Sequence, residues 1–278
     1  MAVTDVDKYC PESLWLLARE LLPAAPQRHQ GGGRRRGDDR ALLAAMLYVL
    51  QSGCSWRALP ASFGVSRATT HRRFTEWVEA GVFVALHRAV LDILGAAGRI
   101  DWSRASVDAM HVRALKGDLT GPSPVDRGKP GSKIHACSDR AGIPLTVCVS
   151  AANVNDHRML EAVVDSIAPI RQPVGRPRRR PRKLHGDKGY DYSSCRRALA
   201  KRGIIARIAR KGIESSTRLG RHRYVIERTL EWVSRFRRLT RRYERKAAHF
   251  TAFLHLACAV ICFRRATRLH LIATNNPK

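Results

Sequence analysis

The chain has 278 residues, of which 44% are hydrophobic, which leaves room for one large domain or two smaller ones and excludes wholesale disorder. Its 51 Lys and Arg residues outnumber its 23 Asp and Glu residues, and the formal net charge of +28 indicates a polyanionic partner such as nucleic acid. A basic protein of the membrane surface is the alternative, but no amphipathic basic helix or lipidation motif supports it.

The N-terminal segment predicts two helices separated by a basic loop. Residues 12–22 carry Leu and Trp side chains at helical spacing, and residues 42–50 carry Leu and Met side chains in the same way. Asp38 is placed to cap the second helix. The run of Gly and Arg at residues 31–37 breaks regular structure and is able to touch phosphates. Its candidate DNA contacts are Arg34, Arg35 and Arg36.

Residues 63–78 predict a helix-turn-helix motif whose second helix contacts DNA. Gly64 supplies the turn and Ser66 the helix cap, while Phe74 and Trp77 mark the apolar side of the helix. An ordinary basic amphipathic helix is the alternative, and we favour DNA contact because cations cluster on the polar side. The candidate DNA contacts are Arg67, Thr70, His71, Arg72 and Arg73.

A domain boundary is expected after the next predicted helix, which covers about residues 83–96. Residues 1–98 would then form a small all-α helix-turn-helix domain and residues 99–278 a second domain. In that second domain short strands alternate with helices, which predicts an α/β fold with a mixed sheet covered by helices. The expected strands are 104–108 paired with 111–115, then 132–137 and 144–149 joined by a hairpin turn at 139–142, then 184–187 and 203–209. The expected helices are 156–168, 192–202, 221–238 and 246–266.

The cysteines and the apolar stretches predict a reducing, cytoplasmic location. The seven cysteines are odd in number and widely spaced, with no Cys-x-x-Cys pair, so a zinc site is not expected. Cys258 and Cys262 share a helical face and are expected to be buried thiols. The sequence lacks a signal peptide, and its most apolar stretch, residues 250–263, is shorter than the about 20 residues of a membrane span.

Three acidic residues stand in short motifs beside apolar strand or helix patterns. Asp108 lies on the first predicted strand, Asp187 at the end of a later strand, and Glu227 on a helix. Alone, each is more often a turn, cap or solvated residue, and only a fold can join them. Sites in open sheets collect at strand ends, and carboxylates brought together there bind hard divalent cations that activate an oxygen nucleophile. In so basic a chain, this pattern indicates metal-dependent chemistry on nucleic acid.

These motifs together resemble the Asp-Asp-Glu (DDE) transposases of bacterial insertion sequences, in particular the insertion-sequence-five family. The resemblance covers nearly the whole chain. It rests on residues 40–60, the helix ending at Phe74 and Trp77, residues 126–133, 139–145 and 152–156, and the motifs around Asp187 and Glu227. The run Glu227-Arg228-Thr229-Leu230-Glu231-Trp232, followed by Arg237-Arg238-Leu239 and Arg242-Tyr243-Glu244, is especially specific.

The resemblance implies an RNase H-like domain that cleaves DNA at the ends of the element and transfers the cut strand into target DNA. Asp108, Asp187 and Glu227 would hold two Mg²⁺ ions, for which Mn²⁺ can substitute. The N-terminal helices would bind the terminal inverted repeats, and pairing two ends implies a homodimer or higher oligomer, with no membrane partner. Further DNA contacts are implied within the matching motifs at Lys129, Lys133, Lys188, Arg223, Arg228 and Arg235.

Two alternative functions stay open at this point. One is a nuclease of the same RNase H-like fold that hydrolyses DNA without joining it. The other is a DNA-binding repressor whose catalytic domain is degenerate. Mg²⁺-dependent joining of a pre-cleaved element end discriminates between all three.

The third carboxylate has a competitor one helical turn further on. The related insertion-sequence-four pattern expects a Tyr and a basic residue where this chain has Gly220 and Ser234, with Arg235 one step beyond. The Arg223-x-x-x-Glu227 context nevertheless favours Glu227. Glu231 is then expected to accept a hydrogen bond from Arg235 or Arg238. The histidines near the motifs, which are expected to pack or to contact phosphate rather than act as a base, are His111, His135 and His185.

Overall fold

The computed structural model describes residues 4–24, 37–212 and 216–273, and in the last range it describes side chains from residue 224 onward. The predicted contacts Arg34, Arg35 and Arg36 lie outside the described residues, as does the side chain of Arg223. The N-terminal helices are α1 (Asp5–Tyr9), α2 (Glu12–Arg19), α3 (Asp39–Ser52), α4 (Arg67–Glu79) and α5 (Val82–Ala96). Helix α1 is missing from the prediction because five residues are too few to show a helical period.

The helix caps and the turn expected before α3 and α4 are present. The Asp38 carboxylate accepts the N–H of Arg40 at 2.9 Å and caps α3. The Ser66 hydroxyl accepts the N–H of Thr69 at 3.1 Å and caps α4. Gly64, with φ +67°, takes the left-handed conformation that a glycine adopts without steric cost. Both caps and the turn follow directly from the residue types at these positions.

The second half of the described chain is built on one mixed sheet. Its strands are β1 (Ala105–Ala114), β2 (Gly121–Pro122), β3 (Pro130–Asp139), β4 (Pro144–Ala151), β5 (Lys183–Gly186), β6 (Ile205–Ile208) and β7 (Arg241–Arg242). The main strands lie in the order β4-β3-β1-β5-β6, with β3 antiparallel to both neighbours and β1, β5 and β6 parallel to one another. The predicted mixed sheet of an RNase H-like fold is confirmed.

The prediction that residues 104–108 pair with residues 111–115 is wrong. These residues form the single strand β1, and Ala105 to Arg113 pair without interruption with Asp139 to Gly131 of β3. No Gly, Pro or Asn lies between the two predicted strands to reverse the chain. A continuous strand therefore places residue 108 in the middle of the sheet rather than beside a turn.

Four helices cover the sheet and complete the fold. They are α6 (Asp156–Asp165), α7 (Ser193–Lys201), α8 (Ser216–Ser234) and α9 (Ala247–Arg268). Helix α8 packs across β1, β3 and β5 through a buried apolar stripe formed by Ile226, Leu230 and Val233. The helical spacing of these three residues puts them on one face of α8, so the helix is held over the central strands.

Helix α9 joins the N-terminal helices to the sheet. The Phe253 ring stacks on Phe74 of α4 at 4.5 Å between ring centroids and on Trp56 at 5.9 Å. By length and composition α9 alone among the described helices would be able to cross a bilayer, but 61% of its apolar window is buried inside the protein. Cys258 and Cys262 are buried free thiols, as expected. One hydrophobic core thus continues across the predicted domain boundary.

Candidate active site

The register between β1 and β5 brings two of the three predicted carboxylates together. Ala105 pairs with Leu184 and Ser106 with His185 in parallel. Continued two residues further, this register would bring Asp108 opposite Asp187, the residue that directly follows β5. Both carboxylates lie close enough to Tyr190 for their charges to raise its pKa. Both side chains are half-buried, so they are held by the sheet and still open to solvent.

A gap in the sheet leaves this position accessible. Strand β5 ends at Gly186, and β7 pairs with β1 only from Arg113 onward. Within the described residues, β1 therefore has no paired strand on this side between Ser106 and Arg113. Asp108 lies at the start of the gap, where a ligand can approach a strand in the middle of a sheet.

Backbone N–H groups orient both aspartates. One oxygen of Asp187 accepts the N–H of Gly189 at 2.9 Å and caps the short 3-10 helix Lys188–Tyr190. One oxygen of Asp108 accepts the N–H of Ala109 at 2.8 Å. A Cβ atom on Gly189 would lie 2.9 Å from the Asp187 carboxylate, so a glycine is needed to keep this cap undisturbed.

The Tyr190 hydroxyl lies among three carboxylates. Its ring is 1% exposed, and its oxygen has no hydrogen-bond partner in the described part of the chain. Burial raises the pKa of Tyr190 well above its ordinary value, and the negative charges of Asp156, Asp108 and Asp187 raise it further. The site thus concentrates negative charge around a neutral, buried phenol.

Asp156, the first residue of α6, is held by a lysine from β3. The Lys133 ammonium donates to the Asp156 carboxylate and to the carbonyl of Val154, both at 2.9 Å. Only 7% of the Lys133 side chain is exposed. The prediction that Lys133 contacts DNA is corrected here, because its charge is buried and already paired with Asp156.

Two histidines from β1 and β3 flank this ion pair. His135 is fully buried, and its ring shares a hydrogen bond of 2.8 Å with the Ser150 hydroxyl. Burial lowers the pKa of His135 to about 4. Burial and the Lys133 charge also lower the pKa of His111. Both rings are therefore neutral near pH 7 and pack in the site, in agreement with the expectation from sequence.

The third predicted carboxylate comes from α8. The Thr229 hydroxyl donates to the carbonyl of Gly142 at 2.9 Å, and the Arg228 guanidinium donates to the carbonyl of Ala141 at 2.9 Å. These two bonds tie α8 to the turn between β3 and β4. Glu227 precedes them and is exposed. The helix is thus anchored to the sheet beside Glu227, while its carboxylate faces solvent.

Glu231, the competitor for this role, is engaged on the outer face of α8. The Arg235 guanidinium donates to its carboxylate at 2.6 Å, as expected for the acceptor role predicted from sequence. Arg238 instead forms a buried ion pair of 2.7 Å with Glu244. Glu231 therefore has a partner of its own on a surface where 58% of its side chain is exposed.

The donor chemistry suits a hard divalent cation, because Asp108, Asp187 and Glu227 all offer carboxylate oxygens. The buried Tyr190 oxygen, which has no hydrogen-bond partner in the described part of the chain, lies where the charges of Asp156, Asp108 and Asp187 all raise its pKa. Among the described residues, however, no three His, Cys, Asp or Glu side chains are close enough to hold a metal ion. The sheet brings the two aspartates together, and Glu227 does not complete a ligand set with them.

The DNA contacts predicted on α4 divide into two groups. Arg67, Arg72 and His71 are exposed, although the His71 ring also packs edge-on against Trp56 at 5.3 Å. Thr70 is removed from the predicted set because it is fully buried and its hydroxyl donates to the carbonyl of Ser66 at 2.8 Å. Arg73 is turned inward, with 12% of its side chain exposed and an ion pair of 2.6 Å to Glu76.

The remaining predicted contacts lie around the sheet. Lys129 and Lys188 are exposed. The Arg228 guanidinium, besides its bond to Ala141, lies 5.0 Å from the centroid of the Trp232 ring and 5.5 Å from that of Tyr224. Arg228 therefore stiffens the surface of α8, whereas the two lysines keep their charge in solvent.

Sequence reasoning missed the roles of Asp156 and Tyr190. Neither residue is among the site residues predicted from the sequence. The available signal was the pair Lys133 and His135, two polar residues on one face of a strand that is buried over nearly its whole length. Polar groups buried on a strand require partners, and Asp156 and Ser150 supply them.

Comparisons with known proteins agree with the resemblance in both halves of the chain. Residues 11–87 match the family model "Putative transposase of IS4/5 family", and residues 103–262 match the model "Transposase DDE domain". A "Putative transposase for insertion sequence element IS402" from Burkholderia cepacia is 46% identical over 149 residues, which is 54% of this chain and 71% of the relative. An "Insertion element IS402 uncharacterized 16.2 kDa protein" from the same organism is 42% identical over 116 residues, covering 41% of this chain and 79% of the relative.

A solved structure is also similar to this chain at low identity. It is the Mos1 transposase paired-end complex with left transposon end, with 10% identity and a TM-score of 0.25. The match covers 86% of this chain and 82% of that one.

Proposed function

This chain belongs to the transposase DDE-domain family, and from that membership we propose that it cuts DNA at the ends of an insertion sequence and joins the cut strand to target DNA. The observation that supports the proposal is the parallel register of β1 and β5, which directs Asp108 and Asp187 towards the same gap in the sheet. We propose Asp108, Asp187 and Glu227 as the ligands of two Mg²⁺ ions, with Mn²⁺ as a substitute, which requires α8 to bring the Glu227 carboxylate closer to the two aspartates than it lies in this structure.

Two bound Mg²⁺ ions would supply an activated water or DNA 3′-hydroxyl and would stabilise the leaving oxygen. The protein contributes the orientation of the carboxylates. The N–H group of Ala109 donates to one carboxylate oxygen of Asp108, and the N–H group of Gly189 donates to one carboxylate oxygen of Asp187. Their second oxygens then face in a direction that the backbone sets, which reduces the reorganisation needed when a cation or substrate arrives.

Residues around the aspartates control charge and water. Lys133 compensates the negative charge of Asp156, so the ammonium lowers the repulsion that a fourth carboxylate would add near Asp108 and Asp187. The buried Tyr190 ring excludes water from the side of the site that faces the core. The exposed ammonium groups of Lys129 and Lys188 would attract the phosphates of the DNA strand.

The N-terminal helices would hold the terminal inverted repeats. Helix α4 presents Arg67 and Arg72 to solvent after a capped turn, as a recognition helix does in a helix-turn-helix. Because α4 packs on α9 through Phe74 and Phe253, DNA bound there has a defined position relative to the sheet. Two element ends bound at once would require a homodimer or a higher oligomer.

A joining assay tests this function. Labelled duplexes that tile the DNA on each side of the coding sequence are supplied pre-cleaved, with plasmid as target and Mg²⁺, Mn²⁺ or a chelator in parallel. A transposase joins an end-derived duplex to the plasmid only with a divalent ion. Hydrolysis without joined product would instead identify a nuclease. Binding of the ends without hydrolysis or joining would identify a repressor.

A further inference from the structure

A cavity of about 340 Å³ lies away from the carboxylates, where the N-terminal helices meet the sheet. Its walls come from four parts of the chain, namely the end of α3, the turn between β3 and β4, the end of α8 and the end of α9. Gln51 lines the cavity from α3, and Ala141 lines it from the turn between β3 and β4. A cavity of this volume is within the range of small-ligand sites.

The cavity is strongly cationic. Arg264, Arg265 and Arg268 line it from α9, and Arg235 lines it from the turn that directly follows α8. Within the described part of the chain, no ion pair neutralises the three arginines of α9, whereas Arg235 is paired with Glu231. Burial and the neighbouring charge of Arg268 lower the pKa of Arg264. Positive charges are thus held together at one opening without the carboxylates that would offset them.

The floor of the cavity is apolar and aromatic. Ile143 and Pro144 line it from the hairpin, Trp232 from α8 and Phe236 from the segment that follows α8. The Arg264 guanidinium lies 5.9 Å from the centroid of the Phe236 ring, which orients the arginine across this floor. A lining that combines cationic and apolar side chains suits a sugar–phosphate unit. The phosphate accepts hydrogen bonds from charged donors, and the deoxyribose ring packs on apolar side chains.

The cavity is linked to the proposed catalytic helix. Trp232 lies five residues after Glu227, about 7.5 Å along the axis of α8. Its ring packs against Arg228, and Arg228 bonds to the carbonyl of Ala141 in the cavity wall. Arg228 therefore connects two residues of the cavity lining, Trp232 and Ala141, to the part of α8 that carries Glu227.

We propose that this cavity binds a backbone phosphate of the DNA, with Arg264, Arg265 and Arg268 as the phosphate donors. This inference rests on the proposed DNA substrate. The C-terminal turns of α9 thereby become a DNA-contacting element in addition to their role in the core.

The test is a salt titration of duplex binding by fluorescence anisotropy, with the end-derived duplexes of the joining assay. The variant carries Arg264→Ala, Arg265→Ala and Arg268→Ala. A matched control carries Arg88→Ala, Arg99→Ala and Arg171→Ala, three exposed arginines around the end of α5 that remove the same charge. We expect the cavity variant to bind the duplex about tenfold more weakly than the control, because it loses the charge-assisted hydrogen bonds to one phosphate. The slope of log K against log salt should flatten by about one relative to the control.

Equal affinity and equal slope for the cavity variant and the control would overturn the inference and leave the proposed function intact. If the unaltered protein bound no end-derived duplex at all, the proposed DNA substrate itself would fall. The single variant Arg265→Ala changes one exposed side chain and should show part of the same loss without a risk to folding. Far-ultraviolet circular dichroism of each variant confirms that affinities are compared between folded proteins.

Discussion

The Lys133 ammonium of β3 donates to the Asp156 carboxylate of α6 at 2.9 Å, and this buried pair ties the sheet to the helix beside the candidate active site. The same ammonium also bonds to the carbonyl of Val154 in the loop before α6. One side chain therefore fixes the loop and the helix start, and it offsets one of the three carboxylate charges that raise the pKa of Tyr190.

We expect Lys133→Met to destabilise the fold, because it leaves Asp156 charged without its partner. Asp156 is about a third exposed, so we expect about 2 kcal/mol rather than the larger loss of a fully buried pair. Urea unfolding of Lys133→Met, Asp156→Asn and the double variant measures the coupling between the two residues. A coupling near zero would show that the pair does not hold the loop.

Asp108→Asn and Asp187→Asn should each abolish cleavage and joining while DNA binding persists. An amide removes one charged oxygen ligand from a hard-cation site without removing the hydrogen-bond acceptor that the neighbouring N–H requires. The measurements are the joining assay and duplex binding by anisotropy on the same preparations. Full strand transfer by either variant would remove that aspartate from the proposed metal site.

Glu227→Gln should eliminate Mg²⁺-dependent strand transfer, whereas Glu231→Gln should leave much of it. Glu231 pairs with Arg235 on an exposed helix face, and losing such a pair costs about 0.3–0.5 kcal/mol of stability. Glu231→Gln is therefore a matched control, one turn away on the same helix. The reverse result, with activity abolished only in the Glu231 variant, would make Glu231 the third ligand.

Arg67→Ala with Arg72→Ala should weaken binding to the element ends and flatten the salt slope by about one unit for each phosphate that is no longer neutralised. Both side chains are exposed on α4. Arg73→Ala is the control, because Arg73 is turned inward to Glu76 and should affect stability rather than the salt slope. An unchanged slope in the double variant would show that α4 does not face DNA.

Stability should fall as the pH drops below about 6.5, partly through His87 of α5 and His255 of α9. Burial lowers the pKa of His87 to about 3 and that of His255 to about 4, so the unfolded chain binds protons that the folded chain does not. Each ring then lowers the free energy of unfolding by about 1.4 kcal/mol for every pH unit that the pH falls between 6.5 and the folded-state pKa of that ring. His255→Gln should flatten this fall in urea unfolding measured from pH 7 to pH 5.

Asp139 should have the opposite effect on stability over part of this pH range. Burial raises its pKa to about 6, so it favours the folded state as the pH falls through 6 towards 4. Asp139→Asn should therefore make the loss of stability with falling pH steeper.

Identical pH profiles of stability for the unaltered protein and His255→Gln would mean that the histidine pair does not titrate as the structure implies.

Local features of the sequence determined the helix caps, the turns and the element types. Asp38, Ser66 and Gly64 occupy the cap and turn positions that their side chains and backbone preferences dictate. The alternation of strands and helices was enough to predict a mixed sheet covered by helices. The motifs around Asp108, Asp187 and Glu227 were enough to suggest the family, which the matches over residues 11–87 and 103–262 bear out.

The tertiary structure decided which side chains are available for chemistry. Lys133, Thr70 and Arg73 have the residue types of DNA contacts, yet burial and pairing with Asp156, Ser66 and Glu76 withdraw them. The partners of Thr70 and Arg73 lie within one helical turn, but neither residue type nor spacing indicates that Lys133 is buried against Asp156, a residue of another element. The position of Asp108 beside Asp187 likewise depends on strand register, which the sheet sets through pairings between residues far apart in sequence.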